Sequence, residues 1–231
     1  MSLDELAALP ESFSGAIRLF PLPNSVMFPH ALQPLHIFEP RYVAMMEAAL
    51  ADDQLLAMAL LQPGWESDYE GRPPVFPVTC LGRVVSHTRL PDGCYNLLLL
   101  GLRRASIVRE LPPDRAYRQA EAVVIEDYYP APAAAQRAHT QQLLLRQFQR
   151  CLRRALTKDE PLEQLLSRQL PLGVLTDIVA STIKFETSFK QKLLSERNVD
   201  ERAQLLLERF ETWDPDERAL QNPFPPKFSS N

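Results

Sequence analysis

Residues 34–42 read PLHIFEPRY and set a carboxylate, Glu39, two positions from a guanidinium, Arg41. Such a pair can move protons, hold an anion or close a charged turn. Proton transfer also needs a cleft with a nucleophile or a second carboxylate, and the neighbouring residues supply neither. Pro40 suits the first position of a helix. Glu39 then reads as the residue entering that helix, its carboxylate facing unpaired amides and the positive helix end, with Arg41 on the surface of the first turn. Structure ranks before ligand contact here, and ligand contact before catalysis. A nucleophilic residue type also occurs in PDGCYN, but Cys94 follows Asp92-Gly93, a dipeptide that can take the positive φ angles of a tight hairpin turn. Turn geometry is the simpler reading of that motif.

Other reaction classes fail on spacing. A phosphate-binding loop needs two glycines five positions apart followed by Lys and Ser or Thr, because backbone amides wrap the phosphates while the side chains handle charge and magnesium. Glycines at 15, 64, 71, 82, 93, 101 and 173 contain no such pair. Cys80, Cys94 and Cys151 form no CxxC, and His30, His36, His87 and His139 are isolated, so structural or surface roles are expected for all of them. No catalytic residue, metal or cofactor is expected, and neither ATP hydrolysis nor proteolysis.

The elements that must carry these residues follow from composition and period. With 231 residues, 45% of them hydrophobic, the chain can bury a sizeable core. Its net charge of −4 gives no global attraction to polyanions. Three scattered cysteines suit a reducing compartment, and a cytoplasmic location is expected. The start, MSLDELAALP, lacks the basic residues of a signal peptide, and no apolar run approaches the ~20 residues that span a bilayer. Twenty-one prolines against seven glycines favour rigid turns over flexible loops.

Along the chain, GAIRLFPLPN and LQPLHIF read as short strands, and EPRYVAMMEAALAD as a helix burying Tyr42, Met45, Met46 and Ala49. QLLAMALL is a strand. Residues 62–78 form a long loop, after which LGRVVSHTRL and CYNLLLLGLRRASIV make a hairpin, and QAEAVVIEDYY is a last strand ending near Pro130. Helical text follows to Thr212. In it Leu145, Phe148, Leu152 and Leu156 form an apolar stripe opposite Arg146, Arg150, Arg153 and Arg154. Asp159 with Pro161 starts a helix, Gly173 separates two, and Asn198 with Glu201 resembles a capping box. The proline-rich residues 213–231 read as a tail.

Three blocks, FPLPNSVMFPHALQPLHIFEPRY, LPDGCYNLLLLGLRRASI and FKQKLLSERNVDERAQLLL, resemble in order the signature blocks of the Lon protease amino-terminal domain family. The match covers roughly residues 15–212. It implies an α+β architecture: a PUA-like β-barrel of about six strands with one inserted helix, followed by a helical bundle. It also implies a role in recognising protein substrates, here in a stand-alone form lacking the family's ATPase and serine-lysine protease modules. The β-then-α order agrees with the reading from the residues. The organisation expected is an extension at 1–13, a barrel at 14–130, helices at 131–212 and the tail.

Two surfaces compete for binding. Trp65, Tyr69 and Phe76 give the 62–78 loop three aromatics suited to capturing unfolded polypeptide, the alternative being a lid over a barrel end. Met27 and Phe28 are second candidates, with a core plug as their alternative. The arginine face around Arg146–Arg154 suits RNA instead, although an ordinary solvated helix face explains it as well. Strand alternation places Leu102 and Arg104 on one face of GLRRAS, so Arg104 either finds a partner, Glu39 being the first candidate, or snorkels to the rim. The expected function is a noncatalytic polypeptide-binding module in protein quality control. Its expected partners are unfolded clients together with a separate protease or chaperone, and no membrane. An RNA-binding PUA-like protein is the alternative.

Overall fold

The computed structural model describes residues 8–155 and 170–212. Residues 1–7, the helix start expected at Asp159 and Pro161, Leu156 and the 213–231 tail lie outside them. Two compact units divide between Ile125 and Glu126.

The first unit runs β1 (Ala16–Leu22), β2 (Leu32–Ile37), α1 (Pro40–Leu50), β3 (Leu55–Leu60), β4 (Val78–Arg89), β5 (Tyr95–Glu110) and β6 (Gln119–Ile125). The strand order is β2-β5-β4-β3-β1-β6, and an added β5–β6 pairing closes the sheet into a barrel. The 16 residues of β5 make closure possible. Its first part pairs with β2 and its second part with β6, while β4 runs beside both. Because β1 and β3 are parallel, the chain needs a crossover between them, and β2 with α1 supplies it. The barrel interior gathers Ile17, Leu19, Ala57, Ala59, Leu81, Ala105, Ala120 and Ala122. Five alanines among eight residues fit the narrow interior of so small a barrel. The alternate residues of β1, Phe20 and Leu22, are also buried. Phe20 meets Tyr42 of α1 edge to face at 4.7 Å. Tyr42, Met45, Met46 and Ala49 are the buried face of α1, as its period predicts.

Two details of this unit differ from expectation. Of Asp92 and Gly93 only Gly93 takes a positive φ, 87°. Pro91 fixes the preceding φ, the Gly93 N–H donates to Leu90 O at 3.0 Å, and Asp92 Oδ1 accepts the Cys94 N–H at 3.0 Å. The result is a type I turn closed by a left-handed glycine. Met27 and Phe28 are core residues, 2% and 0% exposed, and present no surface to a peptide. Their turn is seated directly on β5: His30 N–H donates to Gly101 O at 2.8 Å and Gly101 N–H to Ala31 O at 2.9 Å. Only glycine permits that approach, since a Cβ at position 101 would lie 2.0 Å from Phe28 O.

The second unit contains α2 (Ala134–Ala155), α3 (Leu172–Thr182), α4 (Thr187–Ser195) and α5 (Val199–Thr212). Residues 126–129 belong to it rather than to β6, which ends at Ile125, so the division falls before the expected residue 130. The backbone explains this: Tyr128 N–H donates to Arg197 O at 2.8 Å, and Val199 N–H donates to Tyr128 O at 3.0 Å. On α2 the packed stripe is Leu144, Phe148, Cys151 and Leu152, with Leu145 only half-buried. Gly173 is not a breaker between helices but a buried residue in the first turn of α3.

An ion network that no local pattern announces fixes these helices. Arg202 of α5 is fully buried and makes five hydrogen bonds, one for each guanidinium N–H. They run to Thr176 Oγ1 (2.8 Å), Asp127 Oδ1 (3.0 Å), Asp127 Oδ2 (2.9 Å), Glu196 O (2.9 Å) and Gly173 O (3.3 Å). Asp177 adds an ion-pair contact at 3.6 Å. Gly173 leaves room for this arrangement, because a Cβ there would sit 2.3 Å from Asp127 Oδ2.

Asn198 caps α5 as expected. Its Oδ1 accepts the N–H groups of Asp200 (3.1 Å) and Glu201 (3.4 Å). The reciprocal partner is Glu196, whose Oε1 accepts the Asn198 N–H at 2.7 Å, while Glu201 is exposed and does not complete a capping box. Asn198→Ala is expected to cost ~1 kcal/mol, read as a lower urea midpoint at unchanged slope. An unchanged midpoint would remove the cap.

Candidate functional site

The Glu39–Arg41 pair fastens the 62–78 loop. Glu39 is the N-cap of α1 and Pro40 its first residue, but the Glu39 side chain makes no cap bond. Its carboxylate turns outward, accepting Tyr69 Oη–H at Oε1 (2.7 Å) and Arg41 Nε–H at Oε2 (3.0 Å). Arg41 Nη1 donates to Tyr69 O at 3.1 Å, and Nη2 adds an ion-pair contact with Glu39 at 2.8 Å that lacks hydrogen-bond alignment. The guanidinium lies 4.8 Å from the ring centres of both Tyr42 and Tyr69. Arg41 is therefore a half-buried clasp rather than a solvated first-turn residue. Burial and then the Glu39 carboxylate push the Tyr69 phenol above its ordinary value, which keeps the donating proton in place.

Strand-end contacts hold the base of the loop. Leu61 and Val75 form an antiparallel bridge, and Phe76 N–H donates to Leu60 O at 2.9 Å. Just beyond that base Gly64, with φ of 92°, starts a 3₁₀ turn over Trp65–Asp68. Trp65 meets Tyr69 edge to face at 5.4 Å. The three aromatics proposed from sequence thus occupy one loop, each half-buried. Trp65 and Tyr69 are in contact with each other, whereas Phe76 belongs to the loop base.

Beside the clasp, the loop and the 111–118 segment enclose a recess of about 190 Å³, lined by Arg41, Tyr42, Glu70, Arg72, Arg115 and Arg118 among others. Arg118 spans the Glu110 carboxylate with Nε and Nη2, the former at 3.0 Å, and donates through Nη1 to Pro73 O at 2.8 Å. Arg72 donates to Leu111 O at 3.1 Å and lies 3.2 Å from Glu110. No local pattern joins Arg72, Arg115 and Arg118, which are far apart in the sequence; arginines flanking two proline-rich loops are the one sign the sequence carries.

The remaining candidates stand apart. Arg104 is 3% exposed, which excludes snorkelling to the rim, and Glu39 gives its carboxylate to Arg41 and Tyr69. Burial and the Asp92 carboxylate push the Cys94 thiol up, the reverse of what a nucleophile needs. Arg146 and Arg150 are exposed on α2; the side chains of Arg153 and Arg154 lie outside the described residues. Among the described residues no group of three or more His, Cys, Asp or Glu could hold a metal ion, and no helix is long and apolar enough to cross a membrane.

Residues 16–211 match the family model of the ATP-dependent protease La (LON) substrate-binding domain. The chain is 27% identical over 194 residues to the Lon protease of Heliobacterium modesticaldum, an alignment covering 82% of this chain and 23% of that protein. It is 28% identical over 202 residues to the Lon protease of Escherichia coli strain K12, covering 85% and 24%. It thus spans about a quarter of the length of these relatives. The fold is shared with the N-terminal domain of Mycobacterium avium complex Lon protease (TM-score 0.66, 19% identity, 85% of this chain and 98% of that one). It is also shared with a Lon N-terminal domain protein from Xanthomonas campestris (TM-score 0.59, 20% identity, 86% and 98%).

Proposed function

The chain belongs to the ATP-dependent protease La (LON) substrate-binding domain family, and from that premise we propose that it is a noncatalytic module that binds unfolded polypeptide through the 62–78 loop. A separate protease or chaperone would act on what it holds. The observation that carries this reading is the Trp65–Tyr69 pair, half-exposed yet fixed to the barrel by the Glu39–Arg41 clasp. An aromatic surface already held in place loses little side-chain freedom on binding and tolerates many apolar sequences.

Trp65→Ala is expected to weaken binding of a reduced, unfolded client roughly tenfold, the loss typical of an aromatic anchor. Arg146→Ala combined with Arg150→Ala should leave that affinity unchanged. Fluorescence anisotropy of a labelled client checks both. The opposite pattern, with the arginine pair required and Trp65 dispensable, would sink the proposal.

A further inference from the structure

We infer that the arginine-lined recess beside the clasp is a subsite for a carboxylate carried by the bound polypeptide, an acidic side chain or the chain's own C-terminus. This rests on the polypeptide-binding reading above. The lining sets the guanidiniums of Arg41, Arg72, Arg115 and Arg118 against one acid, Glu70. Three of the four already have carboxylates beside them: Arg41 is paired with Glu39, and Arg72 and Arg118 share Glu110. Arg115 is exposed and belongs to neither group. A recess of about 190 Å³ whose lining carries four arginines and one acid has room for one side chain or chain end.

Position and charge together select the ligand. Tyr69 immediately precedes Glu70, Gly71 and Arg72 of the recess wall, so the aromatic surface and the recess are continuous along the loop. A ligand filling both carries an apolar residue with a carboxylate close by, which describes a peptide. Arg118 keeps its fork on Glu110 and Pro73 O and lends only charge to the recess, so direct contact with the ligand carboxylate falls to the exposed Arg115.

The test uses short, labelled, unstructured peptides with one tryptophan-compatible apolar segment and a neighbouring glutamate or glutamine, each with a free or an amidated C-terminus. The full chain should bind the best carboxylate-bearing peptide about tenfold more tightly than the fully neutral one. Which substitution removes the gain identifies the source, side chain or terminus. Arg115→Gln, a change at an exposed position, should abolish the gain while leaving the neutral peptide's affinity intact, and Arg115→Lys should restore part of it. Equal binding of acidic and neutral peptides, or a gain that survives Arg115→Gln, overturns the subsite and leaves the polypeptide reading standing. Failure of every peptide to bind overturns both. A single-stranded RNA oligomer that loses affinity in Arg115→Gln, with no acidic-peptide preference, assigns the recess to phosphate and overturns the inference.

Discussion

Asp127→Ala is expected to destabilise the helical unit by about 3 kcal/mol, because it takes the bidentate carboxylate from a fully buried guanidinium and leaves it only the ion-pair contact with Asp177 at 3.6 Å. Asp127 meets Arg202 through both oxygens, at 3.0 and 2.9 Å, and the Arg202 side chain has no exposed surface through which water could replace them. Adding Arg202→Leu to that variant should recover only part of the loss. Removing the charge relieves its burial cost, but Glu196 O and Thr176 Oγ1 would each lose the Arg202 donor, while Gly173 O keeps the Thr176 hydroxyl. Urea unfolding of the two variants and the parent checks this by midpoint at constant slope. A shift in Asp127→Ala below about 1 kcal/mol, the ordinary effect of a surface change, would contradict the network's role.

The second large effect is a pH dependence. Lys190 of α4 is buried, and burial pushes its amine down to about 7 from the ordinary 10.5. Between those values the unfolded chain binds the proton that the folded chain has released, so stability rises with pH across this window. The rise from this group is at most about 1.4 kcal/mol per pH unit. Below pH 7 both states are protonated and the contribution is lost. Lys190→Met keeps an unbranched side chain and removes the titration, so the difference between parent and variant should narrow steadily from pH 7 to pH 10 in the parent's favour. Parallel stability profiles over that range would show that Lys190 keeps its ordinary value.

What the sequence revealed, and what it hid, follows from the range over which each signal acts. The buried face of α1, its proline start and the capping role of Asn198 depend on residues within a turn or two, and all were legible. The stripe on α2 starts at Leu144 rather than Leu145, since 3.6-residue periodicity allows either when three leucines run together. Met27 and Phe28 share an apolar turn whose burial depends on Gly101, a residue over seventy positions away, so letters alone left plug and surface both open. Asp127 and Arg202 are 75 residues apart. The strand text around Asp127 hid its departure from the barrel, and nothing in α5 marked Arg202 as buried. The site was half legible: the aromatics of the loop stood out by composition, whereas the clasp of Glu39 and Arg41 on Tyr69 required the fold.

Holding of unfolded polypeptide by this chain alone is tested most directly at Trp65. Replacing Trp213, which lies outside the described residues, by Phe leaves Trp65 as the sole tryptophan and makes its emission a reporter of the loop. That variant should be titrated with a reduced, unfolded client, with the same client folded, and with a mixed RNA oligomer. The account predicts a saturable change in Trp65 emission with the unfolded client, little with the folded one and none with RNA. Unperturbed Trp65 emission alongside tight, steeply salt-dependent RNA binding would contradict it.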